Sequence, residues 1–163
     1  MIVIADSTCL ISLAHISKFD LLKELFGKIV VPQAVFDEVV YMGGNRPGQN
    51  ELRNSSWVEV ITIKDRLAVE ALTTDLGRGE AEVIVLAKET KANLVVLDDG
   101  KARSKAKAMG LEVTGTIGIL LYAAKEGWIR FSPIFDSLLA SGFRLKKTEY
   151  ERILELARRE GLE

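Results

Sequence analysis

The sequence predicts an α/β fold, a parallel sheet of about five strands with helices on both faces. Three observations predict it. Short β-branched apolar runs recur along the chain, stretches of helical period separate them, and most of the runs are apolar throughout instead of alternating. The runs lie at residues 2–5, 29–31, 58–63, 94–97 and 112–114, the second of them stopped by Pro32. Helices are predicted over 7–15, 18–26, 33–42, 65–75, 79–91, 100–109 and 116–127. Residues 43–48, with three Gly and Pro47, read as an exposed loop. Beyond Trp128 the pattern changes. Pro133 opens a helix to about Ala140, Gly142 ends it, and residues 146–159 form a final amphipathic helix. The expected organisation is one domain over 1–130, with 131–163 as a helical extension packed on the same domain or on a partner.

Composition narrows the chemistry. The 163 residues suit one domain, and 48% hydrophobic with 28% charged residues is ordinary for a globular protein. The single Cys, Cys9, excludes an internal disulfide and zinc sites built on several thiolates. The single His, His15, excludes HExxH proteases and two-His iron centres. Carboxylates remain. With 22 basic and 23 acidic side chains the net charge is −1, so any nucleic-acid contact must come from a local patch. The amino terminus lacks a basic leader and meets Asp6 early, and the apolar run 117–124 is too short to span a bilayer. A cytoplasmic protein without membrane association is expected.

Position then singles out particular acids. Asp6 follows the first strand directly, and Asp98 and Asp99 follow the fourth. Ligands of open α/β sheets bind beyond the carboxyl ends of strands, although such residues also cap the next helix. On a helical wheel Glu80 falls between Ile84 and Ala87, central on the apolar face, while Glu82 and Glu89 fall on the opposite, solvated side. A buried carboxylate costs several kcal/mol unless it is paired or binds a metal, although a first-turn acid also gains from the helix dipole. Glu38 borders the apolar arc of its helix, with Val35, Val39 and Met42, while Asp37 points away. Asp6, Glu38, Glu80, Asp98 and Asp99 together form an oxygen-only donor set. Such sets select hard cations, Mg²⁺ or Mn²⁺, and suit phosphodiester hydrolysis.

At these residues the sequence resembles the PIN-domain nucleases, the group that includes VapC-like toxin ribonucleases, in a prokaryotic branch. The matching stretches are Ile4-Ala5-Asp6-Ser7-Thr8, then Val31-Pro32 followed by Val35 and Glu38-Val39, Gly79-Glu80-Ala81, Leu97-Asp98-Asp99, and Val113 with Gly115-Thr116. The resemblance implies a PIN-like three-layer fold with strand order 3-2-1-4-5 and RNA cleavage through metal-activated water. It implies catalytic roles for Asp6, Glu38, Glu80 and Asp99, with Asp6, Glu80, Asp98 and Asp99 as metal ligands. Asp99 is favoured over Asp98 as the acid facing the metal. Ser7 and Thr116 match polar positions that orient ligands. Glu80 stands where many members have Asp, and Leu97 where Thr is common.

After the acids comes a basic helix in which Lys101, Arg103 and Lys105 are the expected RNA contacts; a merely solvated helix face is the other reading. The leading expectation is a metal-dependent ribonuclease leaving 5′-phosphate and 3′-hydroxyl ends, a homodimer, and a toxin paired with an antitoxin protein. The alternative is a catalytically degenerate PIN-like regulator that binds metal or nucleic acid. A phospho-receiver wants paired acids after strand one, and a haloacid-dehalogenase-like phosphatase wants Asp-x-Asp. Asp6-Ser7-Thr8 supplies neither.

Overall fold

β1 (Val3–Ala5), the first strand of the chain, lies at the centre of the sheet. A computed structural model describes all of residues 1–163. β1 pairs in parallel with β2 (Ile29–Pro32) on one side and β4 (Leu94–Val96) on the other. β3 (Val58–Ile61) joins outside β2, and the two-residue β5 (Val113–Thr114) outside β4. The order is therefore β3-β2-β1-β4-β5, all parallel, as the resemblance implied. Ile4 aligns with Val30 and Val95, and Ala5 with Val96. All three residues of β1 are buried, as are Val95 and Val96, so the central strands are covered above and below. β3 is the exception. As an edge strand it exposes Glu59 and Val60.

Helices fill the crossovers. α1 (Ser7–His15) and α2 (Leu21–Phe26) lead to β2, and α3 (Gln33–Val40) and α4 (Gln49–Asn54) to β3. α5 (Arg66–Leu72) and α6 (Arg78–Thr90) lead to β4, and α7 (Gly100–Ala108) to β5. Because strand order reverses at β1, right-handed crossovers send helices to opposite faces and leave a cleft at the carboxyl ends of β1 and β4. α4 was not anticipated from the sequence, which marked only the loop before it. Its six polar-rich residues bury one apolar side chain, Leu52, and Glu51 accepts a hydrogen bond from Gly48 N–H at 2.9 Å. α3 stops at Val40, two residues short of expectation, which leaves Met42 exposed instead of on an apolar arc.

By compactness the chain divides into Met1–Thr116 and Ile117–Glu163. The second unit carries α8 (Thr116–Lys125) from Ile117 onward, α9 (Phe131–Ala140) and α10 (Lys147–Arg159). There Phe131 stacks on Phe135 at 5.1 Å, and Phe135 on Tyr150 at 5.8 Å. An ion pair joins Lys125 to Glu160 at 2.9 Å. No helix is long and apolar enough to cross a membrane.

Candidate active site

Asp6 stands where β1 ends and α1 begins. Its N–H donates to Val96 O at 3.1 Å, which ties the corner to β4. Its Oδ1 accepts from Cys9 N–H at 3.1 Å and so caps α1. The side chain is 2% exposed. Burial above all, then the neighbouring Asp98 carboxylate, pushes the Asp6 carboxyl well above the usual carboxylate range, and Glu80 adds to the effect. Capping is therefore real here, but it leaves a buried acid held against other acids.

Asp98 and Asp99 have different surroundings. The Asp98 oxygens accept from Thr116, Oδ1 from its N–H at 2.8 Å and Oδ2 from its hydroxyl at 2.6 Å. Burial raises the Asp98 carboxyl, while the Thr116 bonds and the Arg103 guanidinium pull it back. Asp99 is exposed and caps α7, its Oδ2 accepting from Ala102 N–H at 3.0 Å. Asp98 thus faces Asp6, and the Asp99 charge reaches Glu80. Gly115 makes the Thr116 approach feasible. A Cβ there would fall 2.7 Å from Asp98 Oδ1 and 2.9 Å from Arg103 Nη1.

Two further acids come from helices. Glu38 on α3 accepts from the Ser7 hydroxyl at 2.7 Å and from Gly79 N–H at 3.2 Å. A Cβ at Gly79 would lie 2.5 Å from Glu38 Oε1, so any side chain there displaces the end of the glutamate. Glu80, in the first turn of α6, accepts from Gly77 N–H at 3.2 Å. Partial burial first, then Asp99, raises its carboxyl, and Glu38 contributes. Ser7 and Thr116, the two hydroxyls expected to orient ligands, each hold one acid.

The helical-wheel reading of α6 needs correction. Glu82, expected in solvent, is buried at 5% exposure, while Glu80 is only half-buried. Residues 81–87 are all buried, because α6 packs against β1, β2 and β4 and against α3, α5 and α7. A helix enclosed on every side has no single apolar face to rank acids by. Glu82 is satisfied by Ala34 N–H at 3.1 Å, one of the unpaired donors at the start of α3, and by Arg78 at 3.3 Å. Glu89, also expected in solvent, is half-buried and accepts from the N–H groups of Lys64 and Asp65.

On α7, Ala102 and Ala106 face inward as expected. Lys101 and Lys105 line a shallow groove of about 500 Å³ together with Asp75 and Ser104. Arg103 does not share that groove: its Nη1 donates to Leu97 O at 2.9 Å. The sequence reading had offered all three basic residues as RNA contacts. Only the inward neighbours of Arg103, Ala102 and Ala106, hinted at another orientation.

Charge repulsion links the acids pairwise, Asp98 and Glu80 acting on Asp6, and Asp99 and Glu38 on Glu80. An oxygen-only set of this kind fits a hard divalent cation in donor type. No three of these side chains stand close enough together to hold an ion. Mutual repulsion among uncompensated carboxylates favours such a spread arrangement.

The fold and site together define an α/β protein of order 3-2-1-4-5 with acids gathered where the strand order reverses. The family model DUF3368, described as a PIN domain, matches residues 2–159, and the chain belongs to this family. PIN domains are usually nucleases, act on nucleic acids and generally use divalent metals. No curated protein matches the chain significantly.

Proposed function

We propose that the chain is a divalent-metal-dependent ribonuclease in which Asp6, Glu80, Asp98 and Asp99 hold Mg²⁺ or Mn²⁺, with Glu38 completing the acidic site. The observation that carries this reading is the Asp6–Asp98 pair. A 2% exposed aspartate held against a second carboxylate at a strand end is costly without a cation. When bound, the cation supplies water of lowered pKa and neutralises charge on the phosphodiester oxygens.

The chain's own residues divide the remaining work. Ser7 and Gly79 fix Glu38 from two sides, and Thr116 fixes Asp98. Exposed Lys101 and half-buried Lys105, on one groove, bind flanking phosphates. No side chain serves as nucleophile. Cys9 is fully buried with its thiol pushed up by burial, and His15 is exposed at the far end of α1.

The test is cleavage of single-stranded RNA by the purified chain across a Mn²⁺ titration. Cleavage that requires the cation and disappears in Asp6→Asn supports the reading. Undiminished cleavage by Asp6→Asn would falsify it. Cation binding without turnover at any concentration would establish the non-catalytic regulator instead.

A further inference from the structure

Arg103 lies beside Asp98 without a hydrogen bond or ion pair to its carboxylate. Its Nη1 donates to Leu97 O, the carbonyl just before Asp98. The same Nη1 and Asp98 Oδ1 converge on the space above Gly115, at 2.9 and 2.7 Å from where a Cβ would sit. No direct ion pair joins the two side chains. Asp98 takes its side-chain hydrogen bonds from Thr116 and none from Arg103. Arg103 is half-buried and anchored, unlike its exposed neighbour Lys101.

We propose that Arg103 is a positioning residue, an internal counter-charge to Asp98 that sets how tightly the site takes a divalent cation, and not a contact to RNA. The proposal rests on the reading of this cluster as a cation site. A guanidinium keeps its charge at any pH at which proteins fold, so the effect is constant and does not depend on titration. Within a few ångströms, and partly shielded from water, a fixed positive charge opposes an incoming cation by a factor of several. It also lets the carboxylates stay close together before the cation arrives. The anchor on Leu97 O matters because it keeps the charge off the carboxylate oxygens themselves.

Two variants separate charge from hydrogen bonding. Arg103→Gln keeps a donor for Leu97 O and loses the charge, whereas Arg103→Lys keeps the charge. The readouts are Mn²⁺ affinity by calorimetry without RNA, and RNA affinity in EDTA. Arg103→Gln is expected to bind Mn²⁺ about five- to tenfold more tightly, with Arg103→Lys within about twofold of the parent. RNA affinity in EDTA is expected to stay within about twofold in both variants, while Lys101→Met loses more. Unchanged or weaker Mn²⁺ binding in Arg103→Gln overturns the proposal. So does an equal shift in both variants, or a loss of RNA affinity matching that of Lys101→Met. The expected Mn²⁺ pattern in a chain that never cleaves RNA supports the role of Arg103 and sinks the ribonuclease reading alone.

Discussion

Ser7 donates its hydroxyl to Glu38 across 2.7 Å, joining the first turn of α1 to the middle of α3. The bond spans two crossovers and fixes a carboxylate whose own helix leaves it half-buried. A hydrogen bond to a charged group contributes about 1.5–3 kcal/mol. Ser7→Ala should therefore lower kcat/KM on RNA roughly tenfold, through a mobile Glu38, with only a small change in stability. Parallel rate and melting measurements check this; wild-type kcat/KM in the folded variant would contradict it.

Gly79→Ala isolates the same acid from the other side. The new Cβ would meet Glu38 Oε1 at 2.5 Å, and the flexible end of the glutamate would swing away. Alanine suits a helix better than glycine by about 1 kcal/mol, so the fold should hold. Activity should fall about a hundredfold at an unchanged or higher melting temperature. A joint fall of both would mean that backbone disruption, not displaced Glu38, is the cause.

Asp6 makes the metal-free protein sensitive to pH in an unusual sense. Its folded carboxyl lies above the unfolded one, so the native state binds the proton more tightly. Stability is then greatest below the ordinary carboxylate range and declines as pH rises through the folded value. Asp98 is raised in the same direction. Asp6→Asn retains a good helix cap and removes the charge. In EDTA at pH 7.5 this variant should melt a few degrees above the parent, with the gap closing toward pH 4. Calorimetry across pH tests it, and a lower melting point in the variant at pH 7.5 would count against the buried-charge account.

The converse holds for the loaded protein. Mn²⁺ at about a hundred times its dissociation constant adds about 2.7 kcal/mol of stability. For a chain of this size that corresponds to roughly 5–10 °C in melting temperature. The gain should shrink in acid, where Asp6 and Asp98 take protons, and largely vanish in Asp6→Asn. An equal gain in that variant would locate the cation elsewhere.

Glu82 should behave as a structural acid. Glu82→Ala strips Ala34 N–H of its partner and opens space in an enclosed helix. It should cost about 1–3 kcal/mol while the folded fraction retains its kcat. A hundredfold loss of kcat without destabilisation would reassign it to the catalytic cluster.

These residues also mark what could be read without coordinates. Strand ends gave away Asp6 and Asp98–Asp99, because apolar runs followed at once by an acid are visible as a string. That β1 and β4 are neighbours was not visible in the residues and came only with the resemblance. Glu82 was misjudged because wheel geometry assumes a helix with a wet side, and α6 has none. α4 escaped because six residues with one buried leucine carry almost no periodic signal. The inward turn of Arg103 depends on the gap above Gly115, which is a property of packing and not of spacing.

The central strand β1 pairs on one side with Leu94–Val96, which lies about ninety residues further along the chain. A chain that stops short of β4 therefore has Asp6 without its opposing carboxylate. Such a truncated protein would possess the first acid of the site without its partners beyond β4.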